Sequence, residues 1–538
     1  MLPGASLKRI VAYICAFAFI FVFSTQNNAI ALDKKFNMTY IYSGQPSDYV
    51  ARVDAAKGAV NAVSPDFFNL NADGSLKLTS KVTSAFVAEM HKKQIKVIPF
   101  LSNHWDRNLG KAAFSNRWAL AQQIADVIKS YDLDGINVDI ENMTETDRCD
   151  YVDFVKILRN SIPEGKIISV AAAANVKNSD TGWAGSYDYA ALSTYSDFIM
   201  VMAYDEHYGG GPQGAVASAG FVEAAIQYAL GKVPNYKIVL GIPFYGRYWK
   251  KGESYGGYGI DMTTTEILIQ KYNGQVGFDE AAKSPNATVT IKPGGTMPVV
   301  GYRQLTPGNY TIWYENEASI KYKLSLVQKY NLKGTASWSL GQETEQTWDY
   351  YGLWLNGYYF EDILRHWAQD YIIKTMEKGW MKGTSGVTFM PNCSLSRAQA
   401  AVVITRVLGL ENTQANSPFI DIKRHWAEKE INAVKQHEII LGKADNIFAP
   451  DDPVTREQMA VILDRILTRL EPVNSGENPY EDINAVDNAW SYDSIIKMSE
   501  NSIFQGYSDR LFHPGDVLTR AQMAALLQRM TAYLEVRG

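Results

Sequence analysis

The run Asp134-Gly135-Ile136-Asn137-Val138-Asp139-Ile140-Glu141 gathers the residues best suited to chemistry. Alternate side chains of a strand face opposite sides, so a strand here puts Asn137, Asp139 and Glu141 on one face and Ile136, Val138 and Ile140 on the other. Polar groups inside a barrel are costly unless they serve a purpose, and barrel active sites lie at the C-terminal ends of the strands. Two carboxylates on one face repel, which raises the pKa of one and keeps it protonated. Cleavage of a glycosidic bond needs such an acid to protonate the leaving oxygen. Glu141, the outermost, is best placed to reach it. The other carboxylate is either a nucleophile or the group that orients a substrate atom attacking in its place, and spacing alone leaves both open.

A barrel is what the surrounding sequence predicts. From residue 38 to about 345, short apolar β-branched runs alternate with helix-like stretches, the pattern of βα units around a parallel sheet. Eight strand candidates are Met38 to Tyr42, the run ending Asp66-Phe67-Phe68-Asn69-Leu70, Ile95 to Leu101, Gly135 to Glu141, Ile167 to Ala172, Phe198 to Ala203, Ile238 to Pro243 and Gly334 to Leu340. They predict a (β/α)8 TIM barrel over residues 32–356. The interval from Tyr248 to about Tyr310 is too long for a plain connection, and its Gly, Thr and Tyr content predicts a small β-rich insertion, about 248–310, between strands seven and eight. His104-Trp105 after strand three either lines the groove or is a surface pair. For Trp249, Tyr255 and Tyr258 in the insertion, packing competes with sugar stacking. Trp313-Tyr314-Glu315, before the last barrel helix, is a further candidate for the cleft.

Whole-chain properties narrow the function. A chain of 538 residues with 46% apolar and 20% charged residues predicts several globular domains. Lys plus Arg number 52 against 57 Asp plus Glu, which excludes the basic excess that nucleic acid demands. Aromatics at 12%, with 32 Tyr and 12 Trp, point to carbohydrate. Lys8 and Arg9 precede an apolar run, Ile10 to Phe23, and a small-x-small site, Ala29-Ile30-Ala31, so residues 1–31 read as a secretory signal peptide. The run is too short to span a bilayer, which needs roughly 20 residues, so no membrane span is expected after cleavage. Cys149 and Cys393 lack neighbours at metal-ligand spacing, so no metal site or disulfide framework is expected.

After residue 357 the sequence repeats itself, over 357–413, 416–472 and 477–538. The copies open with Phe360-Glu361-Asp362, Phe419-Ile420-Asp421 and Tyr480-Glu481-Asp482 and continue through Trp367, Trp426 and Trp490. Phe389-Met390-Pro391, Phe448-Ala449-Pro450 and Phe512-His513-Pro514 follow, and each copy closes with a helix starting Ser396-Arg397, Thr455-Arg456 or Thr519-Arg520. Each copy reads as a helix carrying the Trp, a loop, and a second helix capped by the Ser or Thr. The Arg is hard to explain as core, and a guanidinium repeated at equivalent positions is a natural binder of carboxylate or phosphate.

These copies resemble the S-layer homology domain, whose motif opens with an aromatic-x-Asp and ends in a Thr-Arg-Ala-Glu-like segment, here ending in Gln. The resemblance implies an all-α three-repeat bundle that anchors an exported protein to an anionic secondary polymer of the bacterial cell wall or S-layer. Arg397, Arg456 and Arg520 would meet the polymer's negative groups, with Trp367, Trp426 and Trp490 nearby.

Residues 38 to 350 resemble glycoside hydrolase family 18, whose signature on the fourth strand is Asp-Gly-x-Asp-x-Asp-x-Glu. Met202-Ala203-Tyr204-Asp205, Pro243-Phe244-Tyr245-Gly246-Arg247 and Trp338 match on strands six, seven and eight. The resemblance implies a substrate-assisted retaining mechanism without metal or cofactor: Glu141 protonates the glycosidic oxygen while the sugar's own N-acetyl carbonyl attacks the anomeric carbon. Asp139 and Tyr204 would hold the acetamido group, Asp205 the distorted ring, and Trp338 its floor, with Tyr245 and Met202 lining the subsite. Asn137 stands where the family has an Asp. That Asn, with Val63-Ser64-Pro65 placed after strand two, resembles the branch of spore-cortex and cell-wall N-acetylglucosaminidases. The implied substrate is an N-acetylglucosamine glycan of peptidoglycan. A surface chitinase and a non-catalytic glycan-binding or S-layer protein are the alternatives.

Overall fold

The computed structural model describes residues 34–410, 418–467 and 478–535; the signal-peptide reading of residues 1–31 lies outside them. The chain divides into two compact units at Tyr359–Phe360. Among the described residues no helix is long and apolar enough to cross a membrane.

The first unit is built on a curled, mainly parallel sheet. Its strands in chain order are β1 (Phe36–Ile41), β2 (Ala62–Pro65), β3 (Phe68–Leu70), β4 (Leu76–Leu78), β5 (Lys96–Val97), β6 (Phe100–Ser102), β7 (Gly135–Asp139), β8 (Ile167–Ala173), β9 (Phe198–Met202) and β10 (Ile238–Pro243). After the strands β11 to β17, which form two separate antiparallel sheets, comes β18 (Gly334–Trp338). Parallel pairing runs β2, β1, β18, β10, β9, β8, β7, β6. Residues 96–102 touch both ends of this series, because β5 pairs with β2 and β6 with β7. The break between β5 and β6 falls at Pro99, which has no N–H to give to a ladder. Helices follow most strands, and the interior is closed by Met38, Tyr40, Phe100, Met200, Val239 and Ala336.

The second strand differs from the sequence reading. The segment paired with β1 is Ala62–Pro65, in register Ile41 to Pro65, so Val63-Ser64-Pro65 lies within the strand rather than after it. Phe68–Leu70, expected to end that strand, is a separate piece paired with β6 and β4. Between β10 and β18, the strands β11 (Tyr245–Lys250), β12 (Tyr258–Asp261), β13 (Gln275–Asp279), β14 (Ser284–Ile291), β15 (Val299–Val300), β16 (Arg303–Gln304) and β17 (Gly308–Trp313) are all antiparallel. Five of them form one sheet over a core of Tyr248, Ile260, Leu268, Ala287 and Ile312.

The second unit is helical, with its repeats joined in a cycle. Leu395 N–H donates to Leu518 C=O, Leu518 N–H to Val454 C=O and Val454 N–H to Leu395 C=O, at 2.8 to 2.9 Å. Ser396, Thr455 and Thr519 cap the second helix of each repeat, and Gln399, Gln458 and Gln522 return the bond to the cap's own N–H. An amide serves that capping box as well as a carboxylate does. Asp362, Asp421 and Asp482 accept the backbone N–H groups of Phe389 and Met390, Phe448 and Ala449, and Phe512 and His513. The aromatic-x-Asp signature therefore ties the start of each repeat to its Phe-x-Pro turn.

Candidate active site and repeat grooves

The ladder of β7 ends at Asp139, and Glu141 follows it in a cavity of about 640 Å³, lined also by Trp105, Trp183, Met202, Tyr204, Asp205 and Tyr208. Asn137 is fully buried; its Oδ1 accepts from Tyr40 Oη at 2.9 Å and its Nδ2 donates to Ser169 Oγ at 2.8 Å. Asp139 is buried, and burial holds its carboxyl well above the usual range. Burial does the same for Glu141, reinforced by the charges of Asp139 and Asp205. In such a pair one proton is retained at neutral pH. The outer carboxyl, Glu141, is thus kept as an acid facing the cavity. Burial also raises the Tyr204 phenol, which stays a hydrogen-bond donor.

Asp205 lies in the left-handed region at φ 57°, and its Oδ1 accepts from Tyr245 Oη at 2.7 Å and from Arg247 Nε and Nη2 at 2.9 and 2.7 Å. Arg247 also donates through Nη1 to Gly257 C=O, which links the cleft to the antiparallel sheet. Gly257, at φ 77°, is required there because a Cβ would sit 2.3 Å from Tyr208 O. A second cavity of about 470 Å³ adjoins Asp205 and is lined by Tyr245, Arg247, Asp261, Trp338 and Gln342. Trp338 packs on Tyr40 and Tyr42 at centroid distances of 5.2 and 5.4 Å. The two cavities meet at Asp205, so Glu141 opens on one and Trp338 on the other. Among the described residues no cluster of His, Cys, Asp or Glu has the form of a metal site.

The fold thus brings Asn137, Asp139, Glu141, Met202, Tyr204, Asp205, Tyr245 and Trp338 to one end of the sheet. Trp105 belongs with them, at 50% exposure and edge-to-face with Trp183 at 4.8 Å. Sequence reasoning missed Trp183, in the short helix Gly182–Gly185 after β8, and Tyr208, in the loop after β9, which carry no spacing signal. Trp313-Tyr314-Glu315 is corrected as a cleft candidate: Glu315 is 1% exposed and bonds Lys323 Nζ at 2.8 Å and Ser319 Oγ at 2.6 Å, an internal ion pair. Trp249 packs, and donates through Nε1 to Gly211 C=O.

The repeated arginines are also corrected. Arg397, Arg456 and Arg520 are 5%, 4% and 6% exposed. Their Nε groups donate to the carbonyls of Phe448, Phe512 and Phe389, and their Nη2 groups to those of Leu441, Gln505 and Lys382, each in another repeat. The forks match pairs of backbone oxygens, which explains their repetition without a polymer. Trp367, Trp426 and Trp490 are 59%, 65% and 57% exposed. Two grooves combine these groups across repeats: Trp367 with Arg456, Tyr507 and Arg529, and Trp426 with Arg520, Lys382 and Arg406. Arg406 and Arg529 lie nine residues after the first arginine of their helices, a second repeated cation that the sequence reading passed over.

Residues 38–343 match Glycosyl hydrolases family 18. The chain belongs to this family. Residues 359–401, 418–460 and 479–524 match the S-layer homology domain, so this family 18 glycosidase carries three cell-surface attachment repeats. It is 28% identical over 302 residues to the Uncharacterized glycosylase YvbX of Bacillus subtilis, covering 54% of this chain and 83% of that one. It is 29% identical over 234 residues to the Cortical fragment-lytic enzyme of B. subtilis, covering 43% and 51% of the two chains. The chitinase from Chromobacterium violaceum superposes with a TM-score of 0.52 at 26% identity, over 60% of this chain and 98% of that one.

Proposed function

We propose that this protein is an exported, wall-anchored glycosidase that cleaves β-1,4 bonds next to N-acetylglucosamine in peptidoglycan, by substrate-assisted retention. The observation that carries the chemistry is the Glu141 carboxyl facing a cavity walled by Trp105 and Trp183, with Asp139 buried on the same strand face; burial and the charges of Asp139 and Asp205 favour its protonated form. Glu141 gives its proton to the leaving oxygen, an aromatic wall receives the leaving sugar, and Asp139 and Tyr204 hold the acetamido group that attacks. Asp205, fixed by Tyr245 and Arg247, and the Trp338 floor hold the ring on the other side. Pairing at both ends of residues 96–102 supports a closed (β/α)8 barrel, with β11 to β17 as its insertion.

Peptidoglycan is favoured over chitin because a cortical fragment-lytic relative and three wall-attachment repeats point the same way. In the repeats, the exposed Trp rings offer platforms for the sugars of an anionic wall polymer. The guanidinium charges below them attract its acid groups without supplying a bidentate fork. The chitinase reading is favoured by the C. violaceum likeness. Incubating the mature chain with purified peptidoglycan and with chitin oligomers, then identifying borohydride-reduced ends by mass spectrometry, separates the two. N-acetylglucosaminitol ends from peptidoglycan are expected; release from chitin alone would make this a tethered chitinase.

A further inference from the structure

Glu141 lies beyond the ladder of β7, so the sheet does not hold its backbone. One side chain does. Asn103, fully buried just after β6, accepts from Glu141 N–H through Oδ1 at 2.8 Å and donates through Nδ2 to Glu141 C=O at 2.8 Å. The same Nδ2 donates to Asp106 C=O at 2.8 Å. A primary amide carries an acceptor and two donors in one plane, so it can pair with both backbone groups of a residue; a carboxylate has no donor for the carbonyl.

The stitching continues outward. Asn142 Nδ2 donates to Trp105 C=O at 2.8 Å, and Arg107 donates to Asn142 C=O and Oδ1 at 2.7 and 3.0 Å. His104, Trp105 and Asn142 all have left-handed backbones, at φ 48°, 65° and 59°. Such backbones persist in non-glycine residues where surrounding contacts over-determine them. Here the contacts are the two loops themselves, and the outcome is that Trp105 meets Trp183 in the cavity onto which Glu141 opens.

We propose that Asn103 is a positioning residue for hydrolysis. Its amide clamps the backbone of Glu141 and joins it to the loop that carries Trp105, so the acid and the wall for the leaving sugar keep one fixed separation. This rests on Glu141 being the acid of the proposed function. Displacing an acid by about an ångström costs on the order of a hundredfold in rate, and only when the leaving group needs its proton.

The test compares Asn103→Ala with the parent full-length chain on two substrates: soluble peptidoglycan oligomers, whose leaving sugar must be protonated, and a 2,4-dinitrophenyl β-glycoside of N-acetylglucosamine, whose phenolate leaves unaided. The expected result is a kcat/KM loss, which reports the bond-cleavage step, of about a hundredfold on the first and no more than about threefold on the second. Equal losses on both substrates, or none on either, would overturn the inference. If Asn103→Ala does not fold, judged by thermal unfolding, the half-buried Asn142→Ala carries the test, with about a tenfold loss and the same asymmetry expected. A parent chain inactive on both substrates would overturn the functional reading and this inference with it; an active parent with symmetric losses overturns this inference alone.

Discussion

Asn137→Asp would place a third carboxyl at a position without solvent contact, beside Asp139 and Glu141. Tyr40 Oη and Ser169 Oγ already bond the side chain there, so the new group fits without moving the strand. Burial and like charge both oppose its ionisation, so it is held protonated in the folded protein. The unfolded chain, with an ordinary Asp near 3.9, releases that proton above about pH 4. A folded pKa raised above the unfolded one gives stability that is intact at low pH and lost as pH rises, by about 1.4 kcal/mol per unit until the folded carboxyl itself ionises. Between about pH 5 and pH 7 the variant should therefore fall behind the parent by up to about 2.7 kcal/mol. Urea unfolding of the full chain at these pH values reads this in the transition of Lys34–Tyr359, while the transition of the repeats stays in place. A gap that does not change with pH would mean that the introduced carboxyl ionises freely in the fold, and the desolvation argument for the whole carboxyl cluster would fail with it.

The pH dependence of kcat/KM on soluble peptidoglycan oligomers should fall on the alkaline side as Glu141 loses its proton, with that limb above the ordinary carboxylate range because burial, Asp139 and Asp205 all hold the proton on; a limb near the ordinary value would contradict this. Trp105→Ala should lower kcat/KM about ten- to thirtyfold by removing one aromatic wall of the leaving-sugar cavity, as steady-state kinetics on oligomers would show. Arg456→Leu leaves the carbonyls of Phe512 and Gln505 without their donor and should destabilise the repeat unit by about 2 to 4 kcal/mol, seen as a lower unfolding midpoint with unchanged hydrolysis of soluble oligomers.

The carboxyl site was legible because strand periodicity works residue by residue: the alternation in 134–141 already separates the chemical face from the packed one. Strand boundaries were less so. Pro65 and Pro99 end or interrupt strands that hydrophobicity alone would extend, and the true partner of β1 was hidden by the more apolar Phe67-Phe68 beside it. Asn103 and Trp183 gave no signal, because their roles exist only once the topology sets the loops after β6, β7 and β8 side by side. The arginines of the repeats were misread for a different reason. Their repetition was visible, but the partners that explain it are backbone carbonyls of a neighbouring repeat, which no sequence pattern displays.

The most direct test of the account is Glu141→Gln, which keeps the shape of the side chain and its Asn103 clamp and removes only the ionisable proton. New reducing ends from purified peptidoglycan, counted for parent and variant at equal concentration, should fall by about a hundredfold or more in the variant while the unfolding midpoint of the catalytic unit does not drop. Normal release of ends by a folded Glu141→Gln chain would contradict the central claim that this carboxyl is the acid.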